Sequence, residues 1–156
     1  MNPRNLLIDG IGNIYLIDFS EMKDEEKGTR FLDMVRLEAE TKFKLAVLDS
    51  QSLDAFIAME QLLIEARTLE DINRIRSLPL EAEARKMIAA VCALRQVARQ
   101  ISTEPADDPA LDYEYKLGLL AQTLRISLFG NYLTEVEQEY AVVSSALLTD
   151  WLIQHG

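Results

Sequence analysis

Residues Asn2–Phe19 read NPRNLLIDGIGNIYLIDF, a turn set between two apolar runs, and the expected start of the fold is read from them. Leu6-Leu7-Ile8 is apolar. Asp9-Gly10-Ile11-Gly12-Asn13 places two glycines among residues that suit turns, and Ile14-Tyr15-Leu16-Ile17 is apolar again with aromatic and β-branched members. The segment reads as a β-hairpin. In an antiparallel pair the first residue of one strand lies beside the last of the other, so Asn5 and Asp18 are expected to converge away from the turn. An amide oxygen beside a carboxylate suits a hard cation, since Mg²⁺ is held by one or two such ligands with water and phosphate oxygens completing its shell. The plainer reading of the pair is an Asx-type strand start and a strand-ending Asp that caps a turn. A calcium loop on Asp9-x-Ile11-x-Asn13 fails, because Ile11 stands where an oxygen ligand is needed.

In wording, NPRN followed by LIDF resembles the catalytic loop and metal motif of the kinase-like phosphotransferases, the superfamily of aminoglycoside and choline phosphotransferases. There, a His-Gly-Asp-x-x-x-x-Asn loop precedes Ile-Asp-Phe or Ile-Asp-Trp. Asn5 matches the loop Asn, Asp18 matches the carboxylate that coordinates Mg²⁺, and Arg30–Glu38 looks like the family's next helix with Asp33 as its structural Asp. Within that superfamily the wording is closest to the bacterial ternary-complex-associated domains of conflict and signalling proteins. The resemblance implies a mainly α fold with one short β-hairpin at the N-terminus, the helical C-lobe of the protein-kinase-like fold. Residues 1–156 would be a single domain, with 1–20 a catalytic-loop remnant and metal-site hairpin and 29–156 a helical subdomain. Asn5 and Asp18 would be metal ligands, Asp33 a structural brace of the loop, and Mg²⁺ with ATP or another nucleotide the cofactors of a full-length protein.

The departures are as informative as the match. Counted back from Asn5, the catalytic Asp falls one position before Met1, so the chain carries no general base. Neither G-x-G-x-x-G nor G-x-x-x-x-G-K-[ST] occurs to cradle phosphates. Such a fragment is expected to be inactive alone and to hold no nucleotide tightly. Two functions remain open. One is the C-terminal lobe of a Mg²⁺- and nucleotide-dependent phosphotransferase, partnered by a missing N-terminal lobe. The other is a non-catalytic helical interaction module that binds a protein partner or a second copy of itself.

Composition restricts the partners. With 156 residues and 49% hydrophobic content the chain can bury its own core. A formal charge of −10 disfavours nucleic acid and anionic membranes, whose phosphates would be repelled. Cys92 stands alone, which excludes an internal disulfide and fits a reducing compartment; with neither a signal pattern nor a long apolar run, the cytoplasm is expected.

Beyond a charged connector, Glu21–Lys27, the chain reads as helices. Thr29 is placed to cap the first, with Phe31, Val35, Ala39 and Phe43 on one face. Ser52 opens a second with Phe56, Leu63 and Ile64 inward, and Thr68-Leu69-Glu70-Asp71 has capping-box form before a third. Leu80–Ile101 is a long amphipathic helix whose basic residues Arg85, Lys86, Arg95 and Arg99 are expected on a solvated face. After a loop with Pro105 and Pro109, Leu111–Phe129 is apolar on more than one side, and Thr134-Glu135-Val136-Glu137 is a capping box opening the last helix. Cys92 is expected to be a buried structural thiol and His155 a frayed terminal residue.

Overall fold

The computed structural model describes residues 6–8, 14–16, 31–45, 53–66, 68–76, 82–102, 108–129 and 133–156. Two three-residue strands, β1 (Leu6–Ile8) and β2 (Ile14–Leu16), pair antiparallel with Leu6 opposite Leu16 and Ile8 opposite Ile14. Among the described residues everything else of regular structure is helical: α1 (Leu32–Glu40), α2 (Leu53–Glu65), α3 (Leu69–Arg76), α4 (Ala82–Ile101), α5 (Pro109–Phe129) and α6 (Glu135–His155). Thr41–Leu45 continues α1 as a π-helical turn.

Local chemistry explains several boundaries. Thr68 accepts from the Asp71 amide at 3.1 Å while Asp71 Oδ2 accepts from the Thr68 amide at 3.0 Å, which fixes the start of α3. The same exchange between Thr134 and Glu137, at 3.2 and 2.7 Å, fixes α6. At α1 the expected Thr29 cap lies outside the described residues, and the helix starts at Leu32 with Phe31 in the cap position and no side-chain bond.

The core joins all the helices. Val35, Ala39 and Phe43 point into it with Phe56, Leu63, Ile88, Val91, Leu119, Leu148 and Trp151. Phe56 lies between Phe43, 6.3 Å away, and Tyr140, on which it stacks at 4.4 Å and 15°. Helix α5 packs against α6 and α1, α6 against α2, and α4 against α1 and α3.

The fold expected from the resemblance is corrected by this arrangement. The described residues form a helical body centred on its own buried side chains, and the helical C-lobe of a protein-kinase-like fold is not what these helices build. Alpha helices of ordinary amphipathic pattern carry no information about which lobe they belong to, and the resemblance rested on a short N-terminal stretch.

Candidate functional site

Six polar side chains from five helices and the π-helical turn meet inside the body. Glu38 of α1 accepts two bonds from the Arg95 guanidinium of α4, Nε at 3.0 Å and Nη2 at 2.7 Å, and a third from the Tyr115 hydroxyl of α5 at 2.8 Å. Lys42, in the π-helical turn, lies 3.6 Å from Glu38 and donates to Glu60 of α2 at 2.5 Å. Glu60 Oε1 also accepts from Ser144 of α6 at 2.5 Å, and Arg95 Nη1 donates to the Leu63 carbonyl. All six are buried.

Electrostatics here is nearly closed on itself. Burial pushes the Glu38 carboxyl up, but the adjacent Arg95 charge and bonds, with Lys42 and Tyr115, outweigh it and hold the carboxyl below its ordinary 4.5. Burial and the Glu38 charge push the Tyr115 hydroxyl well above its ordinary 10.0. Two carboxylates, Glu38 and Glu60, thus face the side chains of Lys42 and Arg95. The chemistry of the set is cross-linking of helices.

A second group lines a cleft between α4 and α5 roofed by Phe31. Asp112 receives Lys116 Nζ at 2.6 Å and Arg99 Nη2 at 3.5 Å, and the Lys116 ammonium rests 3.7 Å from the centre of the Trp151 ring. His155 stacks on the same ring at 4.3 Å and places Nδ1 2.8 Å from the Trp151 carbonyl oxygen. The expected frayed terminus is therefore corrected: His155 is the last residue of α6 and is tied to it.

The basic face expected on α4 is divided. Arg85 and Lys86 are exposed, whereas Arg95 and Arg99 are buried against acids of α1 and α5. Glu38, Lys42, Glu60, Asp112 and Lys116 were missed altogether. Their trace in the sequence is slight: two i,i+4 acid–base pairs, Glu38/Lys42 and Asp112/Lys116, and a lone Glu60 within the apolar run of α2. Cys92 is buried in α4, outside any disulfide.

Of the metal-site residues, Asn5 and Asp18 lie outside the described residues, and Asp33 stands half-buried in the first turn of α1. Among the described residues no group of three or more His, Cys, Asp or Glu side chains could hold a metal ion. No described helix is long and apolar enough to cross a membrane.

The outside of the body carries a different feature. On α5, Leu117, Ala121, Leu124 and Leu128 follow one another at four, three and four residues, one stripe of a helix, and the three leucines are 48%, 41% and 70% exposed. On α6, Val142, Ala146, Thr149 and Ile153 repeat the spacing, with Val142 58% and Ile153 76% exposed. Both stripes open on the same side. Tyr115 points from α5 toward α1 while Lys116 and Ser127 turn toward α6, and this puts the leucine stripe away from α1. Tyr140 and Ser144 point from α6 toward α2, and the Val142 stripe lies away from α2 by the same rotation. Because α5 and α6 are antiparallel, those two rotations converge. Lys116 on Trp151 and the Gln138 bond to the Ser127 carbonyl at 3.5 Å set the level, with Leu124 beside Val142 and Leu117 beside Thr149.

A family model described as ternary complex associated domain 9 matches residues 1–125 of the 156. The chain belongs to that family of ternary complex associated domains. No curated protein and no solved structure matches it. The wider resemblance to kinase-like phosphotransferases gains no support from the family match or from the helical body.

Proposed function

We propose that the chain is a non-catalytic helical module that holds a protein partner within a larger assembly, with the outer side of α5 and α6 as its contact surface. The observation that carries this reading is the set of exposed apolar residues Leu117, Leu124, Leu128, Val142 and Ile153 on one side of the two helices. An apolar patch of this kind on a small domain marks a site of association more often than it marks an accident of composition. The family description, ternary complex associated, points the same way. The buried polar groups support it too, since Glu38, Lys42, Glu60 and Arg95 neutralise one another.

Leu124→Glu combined with Ile153→Glu tests the assignment. The tagged protein and this variant are purified from the native cells under identical conditions, with Glu65→Lys/Glu70→Lys as a control on exposed positions of α2 and α3. The reading expects a partner to be lost from the α5/α6 variant alone, with the circular dichroism spectrum unchanged. An identical set of partners on all three proteins would contradict it.

A further inference from the structure

Resting on that reading of the α5/α6 surface, the charge around it specifies the chemistry of the partner: we infer that the surface accepts an amphipathic helix with an apolar stripe and a basic flank. Helix α6 contains Glu135, Glu137, Glu139 and Asp150 and no Lys or Arg. Glu135, Glu139 and Asp150 are exposed, and on the helical circle Glu139 and Asp150 border the Val142 stripe on the edge away from α5. The α5 edge is mixed, with Glu114 and the exposed Arg125. The surface is thus an apolar strip acidic along one side.

A helix laid along the two stripes would bury its own leucines against Leu117, Leu124 and Val142 and carry Lys or Arg toward Glu139 and Asp150. This is the helix-in-groove mode, in which apolar anchors give affinity and the flanking charges give orientation. The stripe from Leu117 to Leu128 is about 16 Å long at the helical rise, enough for about three turns of a partner helix. A second copy of this chain fits less well, because each copy brings a net charge of −10 and the same acidic α6 edge.

Two helix-stapled synthetic peptides of about four turns, identical in their leucine stripe and carrying Lys or Glu on the flanks, test the inference by fluorescence anisotropy. The lysine peptide is expected to bind about tenfold tighter than the glutamate peptide, as two or three exposed charge pairs would give. Glu139→Lys/Asp150→Lys should erase that preference, and Leu124→Glu or Ala146→Glu should abolish binding of both peptides. Equal binding of the two peptides, abolished by Leu124→Glu, would overturn the basic partner and leave the interaction surface standing. Binding indifferent to both Leu124→Glu and Ala146→Glu would overturn the surface itself. Binding of neither peptide would overturn the basic partner, as would a dimer by sedimentation that Leu124→Glu dissolves; the co-purification experiment decides the surface separately.

Discussion

Replacing Arg95 with leucine leaves the Glu38 carboxylate inside the body with only Lys42, 3.6 Å away, and the Tyr115 hydroxyl. Breaking one side of a buried pair costs about 3–5 kcal/mol, because the remaining charge has lost both its partner and water. Arg95→Leu and Glu38→Leu are each expected to lose about that much in urea unfolding. The double variant should lose less than the sum, since it removes both charges together. The same carboxyl sets an acid limit. Its folded-state value is depressed, so its contribution is present above about 4.5 and is lost as the pH falls below that toward the lower folded value. Tyr115, raised above 10.0 when folded, contributes below that pH and loses its contribution as the pH rises through the folded value. Urea midpoints measured across pH should therefore form a plateau with losses on both sides, and Glu38→Gln should flatten the acid side. At this scale the sequence says little. Arg95 and Arg99 occupy the polar side of an amphipathic pattern, and nothing local distinguishes a charge facing water from one facing an acid 57 residues away, as Arg95 faces Glu38.

Helix α6 is the element whose importance the family match understates, because the matched residues end at 125, within α5. Yet Tyr140 stacks on Phe56, Ser144 reaches Glu60, and Trp151 covers Lys116. Trp151→Ala is expected to cost about 3–5 kcal/mol, the usual loss for a buried aromatic, with the Lys116 ammonium losing its ring as well. Removing residues 135–156 should abolish cooperative thermal unfolding. A shortened chain that still melts cooperatively would show that α6 is an accessory. Elements were readable where the signal is local. The capping boxes at Thr68 and Thr134 stand where the sequence places them, and the inward residues Val35, Ala39, Phe43, Phe56 and Leu63 follow the helical spacing. The sequence of α5 reads as apolar on more than one side. One of those sides, with Leu117, Leu124 and Leu128, faces outward, since periodicity counts apolar faces without saying what covers them.

Among the described residues the interior is crossed by ion pairs such as Arg95 to Glu38 and Lys42 to Glu60, and the outer side of α5 and α6 carries an apolar strip beside an acidic edge. Resemblance at the N-terminal stretch led to the right family through a fold that the helices do not adopt. Short motifs specify loops, whereas the packing of helices is decided by contacts such as Arg95 to Glu38 and Tyr140 to Phe56, which no short stretch contains. Interior and exterior should respond independently. Leu124→Glu is expected to leave the urea midpoint within about 0.5 kcal/mol of the parent, as exposed substitutions do, while Arg95→Leu unfolds the chain more easily. The most direct measurement is photo-crosslinking in the native cells, with benzoylphenylalanine placed at Leu124, at Val142 and, on α3, at Glu70. The account predicts adducts to another protein from Leu124 and Val142 and none from Glu70. Adducts from Glu70 with none from α5 or α6 would contradict it.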